Sequence, residues 1–432
     1  MTKSRKGQTL KNVYEATNDR IKYIFDNFDH VYVSFSGGKD SGVMLNLCLK
    51  YIRDNNLDKK ITLMHLDYEA QYEATTNYVA KIEEEFKEYL DILHVCVPFK
   101  VTTCTSMFQS FWRPWEESKK DIWVREMPDN AMTASDFGFY DENMWDYDFQ
   151  EKLSIWSHEQ SKAERTAVLV GIRTQESLNR WRAIHKDRDS RLDNLEYSKK
   201  VTDNIYNFYP IYDWKTEDIW VANARFQFNY NKLYDLYYQA GVPLDSMRVA
   251  SPFISEGQES LKLYKVIEPH TWGKLVSRVN GVNFTGLYGG TTATGWKNIK
   301  KPEHFTWKQY MEFLLDSLPE NVKDGYLSKL DTSIKFWREK GGVLSDEVIS
   351  QLDELSIKYE FGIHNYKTDK KAVKLEYLDD IDISDFKAVP TYKRMCVCIL
   401  KNDHLCKYMG FSQTKQELKK RKEAIEKYAK IL

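Results

Sequence analysis

The chain has 432 residues, enough for one large domain or two ordinary ones with a sizeable core. Its 63 basic and 64 acidic residues leave a net charge of -1, which excludes a global electrostatic argument for binding nucleic acid or a membrane. The chain has no apolar run of membrane-spanning length, no signal-like N-terminus and only six cysteines, so a cytoplasmic protein without a disulfide framework is expected. Nucleic-acid binding through a local basic patch stays open, as does the oligomeric state, a homo-oligomer included.

The first predicted elements are a helix near residues 12 to 28, a strand at Val31–Phe35 and a helix that starts near Asp40. The strand is rich in β-branched and aromatic residues, and the apolar residues after Asp40 recur at helical spacing. The connecting stretch therefore lies at a helix N-terminus, where backbone N–H groups and the helix dipole favour an anion. It consists of Ser36, Gly37, Gly38, Lys39, Asp40, Ser41 and Gly42.

The residue types of this loop suit a polyphosphate. Gly37 and Gly38 let the backbone approach a phosphate closely, Lys39 adds a positive charge, and Ser36 and Ser41 offer hydroxyl donors. The spacing differs from that of a Walker A site and from the Gly-x-Gly-x-x-Gly of a dinucleotide fold, which argues against motor ATPases and dehydrogenases. A turn with a helix-capping serine is the alternative, and it would be preferred for a lone Ser-Gly-Gly.

Strands and helices alternate further along the chain. Strands are predicted at Ile61–Leu66, Ile92–Val97 and Thr166–Gly171, with a helix from about Tyr72 to Leu90. Such alternation predicts a parallel sheet with helices on both faces, which binds ligands at the carboxyl ends of its strands. Asp67 follows one strand, where it suits a magnesium ion or a ribose hydroxyl, with a loop cap as an equal alternative.

Residues 105–160 interrupt this alternation with tryptophans scattered among charged residues. We expect an insertion here that forms a lid or a partner surface. Lys119, Lys120 and Arg125 could reach phosphates from it, although a solvated basic turn is the simpler explanation of each residue.

Gly171 opens the second informative stretch. If residues 172–180 are helical, four polar residues form one stripe along that helix. Such a stripe is usually solvated, but this one starts at the carboxyl end of a buried strand, where Gly171 allows close approach and two arginines suit phosphate or sulfate. The four residues are Arg173, Glu176, Ser177 and Arg180.

Residues 36–41 resemble the pyrophosphate loop of the adenine-nucleotide alpha-hydrolase-like (PP-loop) proteins, which include ATP pyrophosphatases and phosphoadenosine phosphosulfate (PAPS) reductases. Residues 171–180 resemble the Gly-Ile/Leu-Arg-x-x-Glu-Ser-x-x-Arg signature of the PAPS reductase family, and residues 209–220 resemble its last strand and following helix. The resemblance covers roughly half of the chain. It implies an α/β fold of the Rossmann-like HUP type with a doubly wound, mainly parallel five-stranded sheet.

Helical patterns dominate beyond residue 228, so we expect an adenine-nucleotide-binding domain at 1–228 and a mainly α-helical domain at 229–432. The Gly/Thr-rich stretch 286–296 is either a second phosphate-contacting loop or, by default, a flexible turn. The later helices are expected at 233–240, 307–318, 322–339, 345–359 and 415–431.

The whole architecture resembles the immunoglobulin-binding regulator A-like branch of the family, which occurs in phages and mobile elements. This resemblance implies a ParB-like protein partner. It also places Arg248 where relatives hold a basic residue over the nucleotide.

Cys396 and Cys398 are predicted to share one face of a strand, near His404 and Cys406. Zinc or an iron–sulfur cluster would prefer a two-residue spacing and a fourth ligand. We therefore expect buried structural cysteines and no iron–sulfur cluster, and we assign no metal-ligating set.

Three functions agree with the resemblance. We prefer an enzyme that binds ATP with Mg²⁺ and directs attack at the α-phosphate, with the released pyrophosphate in the loop. Thiol-dependent PAPS reduction is the second, but the loop is intact and the Glu-Cys-Gly-x-His nucleophile of the family's reductases is missing near the C-terminus. A nucleotide-sensing regulatory subunit is the third, since no catalytic base is evident. The catalytic residues expected for the first are Lys39, Asp40, Arg173 and Arg180.

Overall fold

The computed structural model describes two compact units. The described residues are 11–106, 108–185, 188–254, 257, 261–283, 285, 299–364, 368–383, 385 and 388–411. Of these, the residues within 1–101, 113–252 and 263–274 form the first unit, and those within 102–112, 253–262 and 275–432 form the second. Residue 228, the predicted limit of the nucleotide-binding domain, lies inside the first unit.

A six-stranded sheet forms the centre of the first unit. Its strands are His30–Ser34 (β1), Ile61–Leu66 (β2), Leu90–Val95 (β3), Thr166–Val170 (β6), Ser198–Lys200 (β7) and Ile205–Phe208 (β8). Two further strands, Val101–Thr102 (β4) and Phe111–Trp112 (β5), lie outside this sheet. The order is β3-β2-β1-β6-β8-β7, and every pair is parallel except the edge pair of β7 and β8.

The mainly parallel α/β sheet is confirmed, but the predicted number of five strands is wrong. The additional strand, β7, has three residues and pairs antiparallel at the edge. So short a segment cannot show the alternation of apolar and polar residues by which strands are recognised in a sequence.

The strand order reverses between β1 and β6. The chain leaves β1 for β2 and β3 on one side and returns to β6 on the other, so Ser34 and Val170 are paired neighbours. In parallel α/β sheets, ligands bind at the carboxyl ends of the strands at such a reversal. The glycine loop and the Gly171 stretch both begin at this point.

Helices cover the sheet and are held by apolar contacts and caps. The first starts with a capping box in which Asn12 and Glu15 bond each other's backbone N–H. The second buries an unbroken run, Val43–Leu49, as expected for a helix packed on a sheet. The helices up to residue 278 are Val13–Asn27 (α1), Lys39–Asp54 (α2), Glu73–Glu85 (α3), Asp146–Ser161 (α4), Leu178–His185 (α5), Thr216–Phe226 (α6), Leu233–Gln239 (α7), Tyr264–Ile267 (α8) and Pro269–Arg278 (α9).

Residues 105–160 are only partly irregular. They contain 3-10 helices at Glu117–Ile122 and Ala134–Asp136, but α4 fills their last part and contacts β1. The predicted insertion thus ends before residue 146, because α4 is the helix that leads from the β3 side of the sheet back to β6.

The predicted helical C-terminal region is confirmed, and the second unit also contains a small sheet. Its helices are Trp307–Asp316 (α10), Glu320–Glu339 (α11), Asp346–Glu354 (α12) and Tyr392–Leu400 (α13), and its strands are Gly342–Leu344 (β9), Tyr359–Phe361 (β10) and Lys371–Leu375 (β11). The strands form an antiparallel sheet in the order β10-β11-β9. The predicted helix 345–359 stops early because Ser356 has a φ of 54°, which no right-handed helix contains. The predicted helix 415–431 and the Gly/Thr-rich stretch 286–296 lie outside the described residues.

Cys396 and Cys398 lie on α13, so their predicted placement in a strand is wrong. Thr391 starts this helix by accepting a hydrogen bond from the Arg394 N–H. Both cysteines are buried, and burial raises the pKa of Cys396 to about 12. Along the described residues, no helix combines the length and apolarity that crossing a bilayer requires.

Candidate functional site

The glycine loop joins the carboxyl end of β1 to the N-terminus of α2. Gly37 has a φ of +71°, a conformation that favours glycine, and Gly38 is the N-cap of α2. Ser36 Oγ lies 3.0 Å from Ser41 Oγ, and Ser41 Oγ also donates to the Gly38 carbonyl at 3.2 Å. The two hydroxyls therefore stabilise the turn itself.

Gly171 brings the second stretch directly against this loop. A Cβ atom at Gly171 would lie 2.8 Å from Ser41 Cα and 2.9 Å from Ser41 N. Contacts this short exclude any side chain unless the backbone shifts. The predicted close approach is thus present, but its partner in the structure is the N-terminus of α2.

Three charged side chains, which we call the loop cluster, meet at the start of α2. They are Lys39, Asp40 and Arg173. Arg173 Nε donates to Asp40 Oδ1 at 2.5 Å, and Lys39 Nζ lies 3.3 Å from Asp40 Oδ2. Lys39 Nζ also donates to the Met247 carbonyl at 3.0 Å. Lys39 is 5% exposed and Arg173 2%, so two buried cations share one carboxylate.

Two residues that the sequence pattern did not identify form hydrogen bonds to the backbone of the loop. The Tyr234 hydroxyl accepts the Lys39 backbone N–H at 2.9 Å, and burial raises the pKa of Tyr234 well above its usual range. Asn231 Nδ2 donates to the Gly37 carbonyl at 3.0 Å and to Thr75 Oγ1 at 2.8 Å. Both residues lie almost 200 positions from the loop, and no local spacing could have indicated them.

The stretch after Gly171 is not one helix, so the predicted polar stripe is wrong. Helix α5 begins only at Leu178, because Ser177 Oγ accepts the Arg180 N–H at 3.2 Å as a cap does. The Thr174 N–H donates to the Tyr212 carbonyl at 2.9 Å, and the Glu176 N–H donates to the Arg173 carbonyl at 3.2 Å, so this segment forms a turn. Arg173 therefore belongs to the loop cluster, whereas Arg180 is exposed.

Glu176 contacts two arginines, Arg180 and Arg248. Its side chain is 3.5 Å from Arg180 Nε, and its carbonyl accepts a hydrogen bond of 2.9 Å from Arg248 Nη2. The structure thus places Arg248 beside the 171–180 stretch. Contact of Arg180 or Arg248 with a nucleotide remains a prediction.

Asp67 lies one strand away from the loop, at the carboxyl end of β2, and is fully buried. Its Oδ1 accepts the Glu69 N–H at 2.9 Å, while Oδ2 is 3.0 Å from His94 Nε2 and also accepts from Arg125. Burial opposes the charged form, but the hydrogen bond from His94 and the charge of Arg125 hold the pKa of Asp67 below its usual range. A role with ribose or magnesium remains a prediction.

We call the surroundings of Asp67 the histidine cluster, which comprises His65, Asp67, Glu83, His94 and Arg125. His94 Nδ1 lies 2.9 Å from Glu83 Oε1, so its ring bridges two carboxylates. Burial alone would lower the pKa of His94, but hydrogen bonds to Asp67, Cys96 and Glu83 raise it to about 11. Burial and the neighbouring His94 lower the pKa of His65.

The lysines of the 105–160 segment have partners close in sequence. Lys119 pairs with Glu116 at 2.7 Å, and Lys120 pairs with Glu117 at 3.3 Å. Arg125 instead reaches the histidine cluster, where its Nε donates to the Glu69 carbonyl at 3.1 Å. A contact of these three residues with phosphates stays a prediction.

Comparison with known families divides the chain in two. Residues 30–240 match the model of the phosphoadenosine phosphosulfate reductase domain. Residues 241–420 match the model of a domain of unknown function, DUF3440. The Escherichia coli protein YbdN is 34% identical over 412 residues, which cover 94% of this chain and 92% of YbdN.

Two solved structures are similar to this chain at low sequence identity. The PAPS reductase of Candida auris in its phosphate complex is 14% identical, with a TM-score of 0.31 over 54% of this chain and 87% of that one. The FMN adenylyltransferase of Candida glabrata with FAD and pyrophosphate is 15% identical, with a TM-score of 0.30 over 51% of this chain and 58% of that one.

Proposed function

Since the chain belongs to one family with YbdN and carries a phosphoadenosine phosphosulfate reductase domain, we propose that it binds ATP at the glycine loop and cleaves it at the α-phosphate. Pyrophosphate is the leaving group and stays in the loop. The nucleophile is either water, giving AMP, or an acceptor, giving an adenylylated product. The site is formed by the loop, Gly171 and the loop cluster.

The charge of the loop cluster is the observation that carries this proposal. Two buried cations share one carboxylate, which leaves one positive charge in excess. The N-terminus of α2 adds roughly half a positive charge at the same place. Since an unbalanced charge is costly inside a protein, an anionic guest such as a polyphosphate stabilises the site.

Lys39 and Arg173 share one task in this proposal. Both are held in place before the nucleotide arrives, by Asp40 and, for Lys39, by the Met247 carbonyl. Groups that are held in this way stabilise negative charge on the leaving pyrophosphate without reorganising during the reaction. Asp40 is a positioning residue for both cations.

The loop cluster contains only one carboxylate, Asp40, that a Mg²⁺ ion could use as a ligand. Mg²⁺ usually keeps several water ligands and binds one or two carboxylates together with the phosphates. Both oxygens of Asp40 already contact Arg173 and Lys39, so the nucleotide phosphates and water would supply most ligands of the ion. The ion would neutralise part of the polyphosphate charge.

The burial of the three C-terminal cysteines argues against PAPS reduction. Such a reaction needs a thiolate, and burial raises the pKa of both Cys396 and Cys398. Cys406 is buried as well. A regulatory subunit that binds the nucleotide without turnover stays a candidate, and the products of the following experiment separate it from an enzyme.

The test is incubation of the full chain with ATP labelled at the α- or γ-phosphate, in the presence of Mg²⁺. We expect AMP or an adenylylated product together with pyrophosphate, and about a 100-fold or larger loss of rate in Lys39→Met. Lys50→Met is the matched control, because Lys50 lies on the same helix and pairs with Asp54 on its outer part. Release of ADP and phosphate would contradict the proposal, and binding without any product would favour the regulatory subunit.

A further inference from the structure

The histidine cluster contains three side chains whose ligand atoms converge. One nitrogen of His65, one of His94 and a carboxylate oxygen of Asp67 all lie within 4.8 Å of one another. Zinc binds nitrogen and oxygen ligands at about 2.0 to 2.2 Å, so two ligands of one ion lie about 3 to 3.5 Å apart. The separation of 3.0 Å between His94 Nε2 and Asp67 Oδ2 already has this size.

Each imidazole is oriented by an acceptor on its other nitrogen. His65 Nδ1 donates to the Phe35 carbonyl at 2.9 Å, which leaves Nε2 as its ligand atom. His94 Nδ1 donates to Glu83 Oε1 at 2.9 Å, and Glu83 Oε2 is itself held by Asn130 Nδ2 at 3.1 Å. A carbonyl or carboxylate behind each ligating histidine is the arrangement that surrounds protein-bound transition metals.

Asp67 presents one particular oxygen to the two rings. Its Oδ1 is held by the Glu69 N–H at 2.9 Å, so Oδ2 faces His94. The carboxylate is fixed further by its own backbone, since the Asp67 carbonyl accepts the Trp115 indole N–H at 2.8 Å. All three ligating side chains are thus oriented before any ion arrives, and they come from β2, β3 and the residue that follows β2.

We propose that His65, Asp67 and His94 form a binding site for one divalent transition-metal ion, with zinc as the best match. Two imidazoles and one carboxylate suit Zn²⁺ or Fe²⁺ and do not suit Mg²⁺, which prefers oxygen ligands alone. The ion takes the place of the proton between His94 and Asp67. The site is separate from the glycine loop and does not depend on the proposed ATP chemistry.

Arg125 competes with the ion for the same carboxylate. Its Nη2 donates to Asp67 Oδ2, the oxygen that the geometry assigns to the metal. Metal binding therefore requires the guanidinium to move away from Oδ2, while its Nε contact to the Glu69 carbonyl is independent of that oxygen. It follows that Arg125 lowers the affinity for the metal, and that its removal raises this affinity.

The experiment measures metal retained by the full chain after stripping with a chelator, exposure to Zn²⁺, Fe²⁺ or Mg²⁺, and desalting. We expect roughly one equivalent of zinc in the wild type and its loss in His65→Gln and His94→Gln. His30→Gln is the matched control, because His30 is buried in the same sheet and bonds Thr62 and Thr166 instead. Equal retention in all four proteins, or none in the wild type, would overturn the proposal.

Two further variants separate loss of the site from loss of folding. Glu83→Gln removes the carboxylate behind His94, and we expect zinc affinity to fall ten- to 100-fold. Arg125→Gln should bind zinc more tightly than the wild type, which misfolding cannot cause. Weaker binding in Arg125→Gln, with an unchanged circular dichroism spectrum, would contradict the assigned ligand oxygen. Lys39→Met should keep its zinc, so a failure of the ATP proposal would not affect this result.

Discussion

Two groups of buried charges stand at the carboxyl end of the same sheet, and they differ in balance. The loop cluster holds two cations and one carboxylate, whereas the histidine cluster holds two carboxylates against Arg125 and a protonated His94. The first carries an excess charge that an anion can compensate. The second is neutral as it stands, so it accepts a metal ion only by giving up the proton between His94 and Asp67 and by releasing Arg125 from Asp67.

The comparison teaches that burial alone does not identify a binding site. Most side chains of both clusters are buried, and both clusters contain ion pairs. The clusters differ in whether their own side chains balance the buried charge. The predictions below test this difference, first in the histidine cluster and then in the loop.

The largest effect on stability is expected for Glu83→Gln, which leaves the histidine cluster with an unpaired positive charge. We expect the free energy of unfolding in urea, with a chelator present, to fall by about 3 kcal/mol. Pyrophosphate release per folded chain should stay nearly unchanged. Glu84→Gln, on the exposed face of the same helix, should behave as the wild type. Equal stability of the two variants would show that the cluster does not need its charge balance.

A smaller effect is expected for Gly171→Ala, which places a methyl group against the backbone of Ser41. Because the new Cβ would lie 2.8 Å from Ser41 Cα, we expect about 2 kcal/mol of destabilisation and weaker ATP binding. Gly138→Ala is the control, since a Cβ there meets no atom within 4 Å. Thermal unfolding and a binding titration check both. Unimpaired ATP binding would mean that the site does not need the close contact between Gly171 and the glycine loop.

Tyr234→Phe should cost about 1 to 2 kcal/mol of stability, because it leaves the buried Lys39 N–H without its acceptor. Tyr238→Phe is the control, with a side chain that is 68% exposed. Urea unfolding of the two variants provides the measurement. A loss of ATP cleavage beyond the loss of folded protein would add a role for this hydroxyl at the site.

The smallest effect concerns pH and a histidine outside both clusters. Burial, and secondly the nearby His158, lower the pKa of His30 from 6.5 to about 4. A depressed pKa means that the contribution to stability is complete above pH 6.5 and is lost as the pH falls through 4. Between pH 6.5 and pH 4, the free energy of unfolding of His30→Gln should therefore fall by on the order of 1 kcal/mol less than that of the wild type. Identical slopes of stability against pH for the two proteins would contradict this.

The loop and the sheet could be predicted because their signals are local. A strand, two glycines and a helix follow one another within residues 31–49, and the alternation of elements implies the parallel sheet. The arrangement of side chains around the loop could not be predicted. Tyr234, Asn231 and Met247 come from a segment that only folding brings to the loop.

Some predictions failed because a local bond outweighed the periodicity. The cap at Ser177 starts α5 at Leu178, five residues later than a stripe from Arg173 requires. The cap at Thr391 starts a helix where the alternation of Cys396 and Cys398 suggested a strand. The two histidines of the proposed metal site were not identified from the sequence for a different reason. His65 and His94 lie on separate strands, and the spacing between them carries no known signature.

The bonds of Asn231 and Tyr234 to the loop bear on how this protein can be shortened. A fragment that ends at residue 228 would retain every strand of the large sheet and all the residues of the loop cluster. It would nevertheless lose the acceptor of the Lys39 N–H and the donor to the Gly37 carbonyl. A fragment for crystallography or nucleotide titration should therefore extend at least through Met247, although the pattern of strands alone would suggest a shorter one.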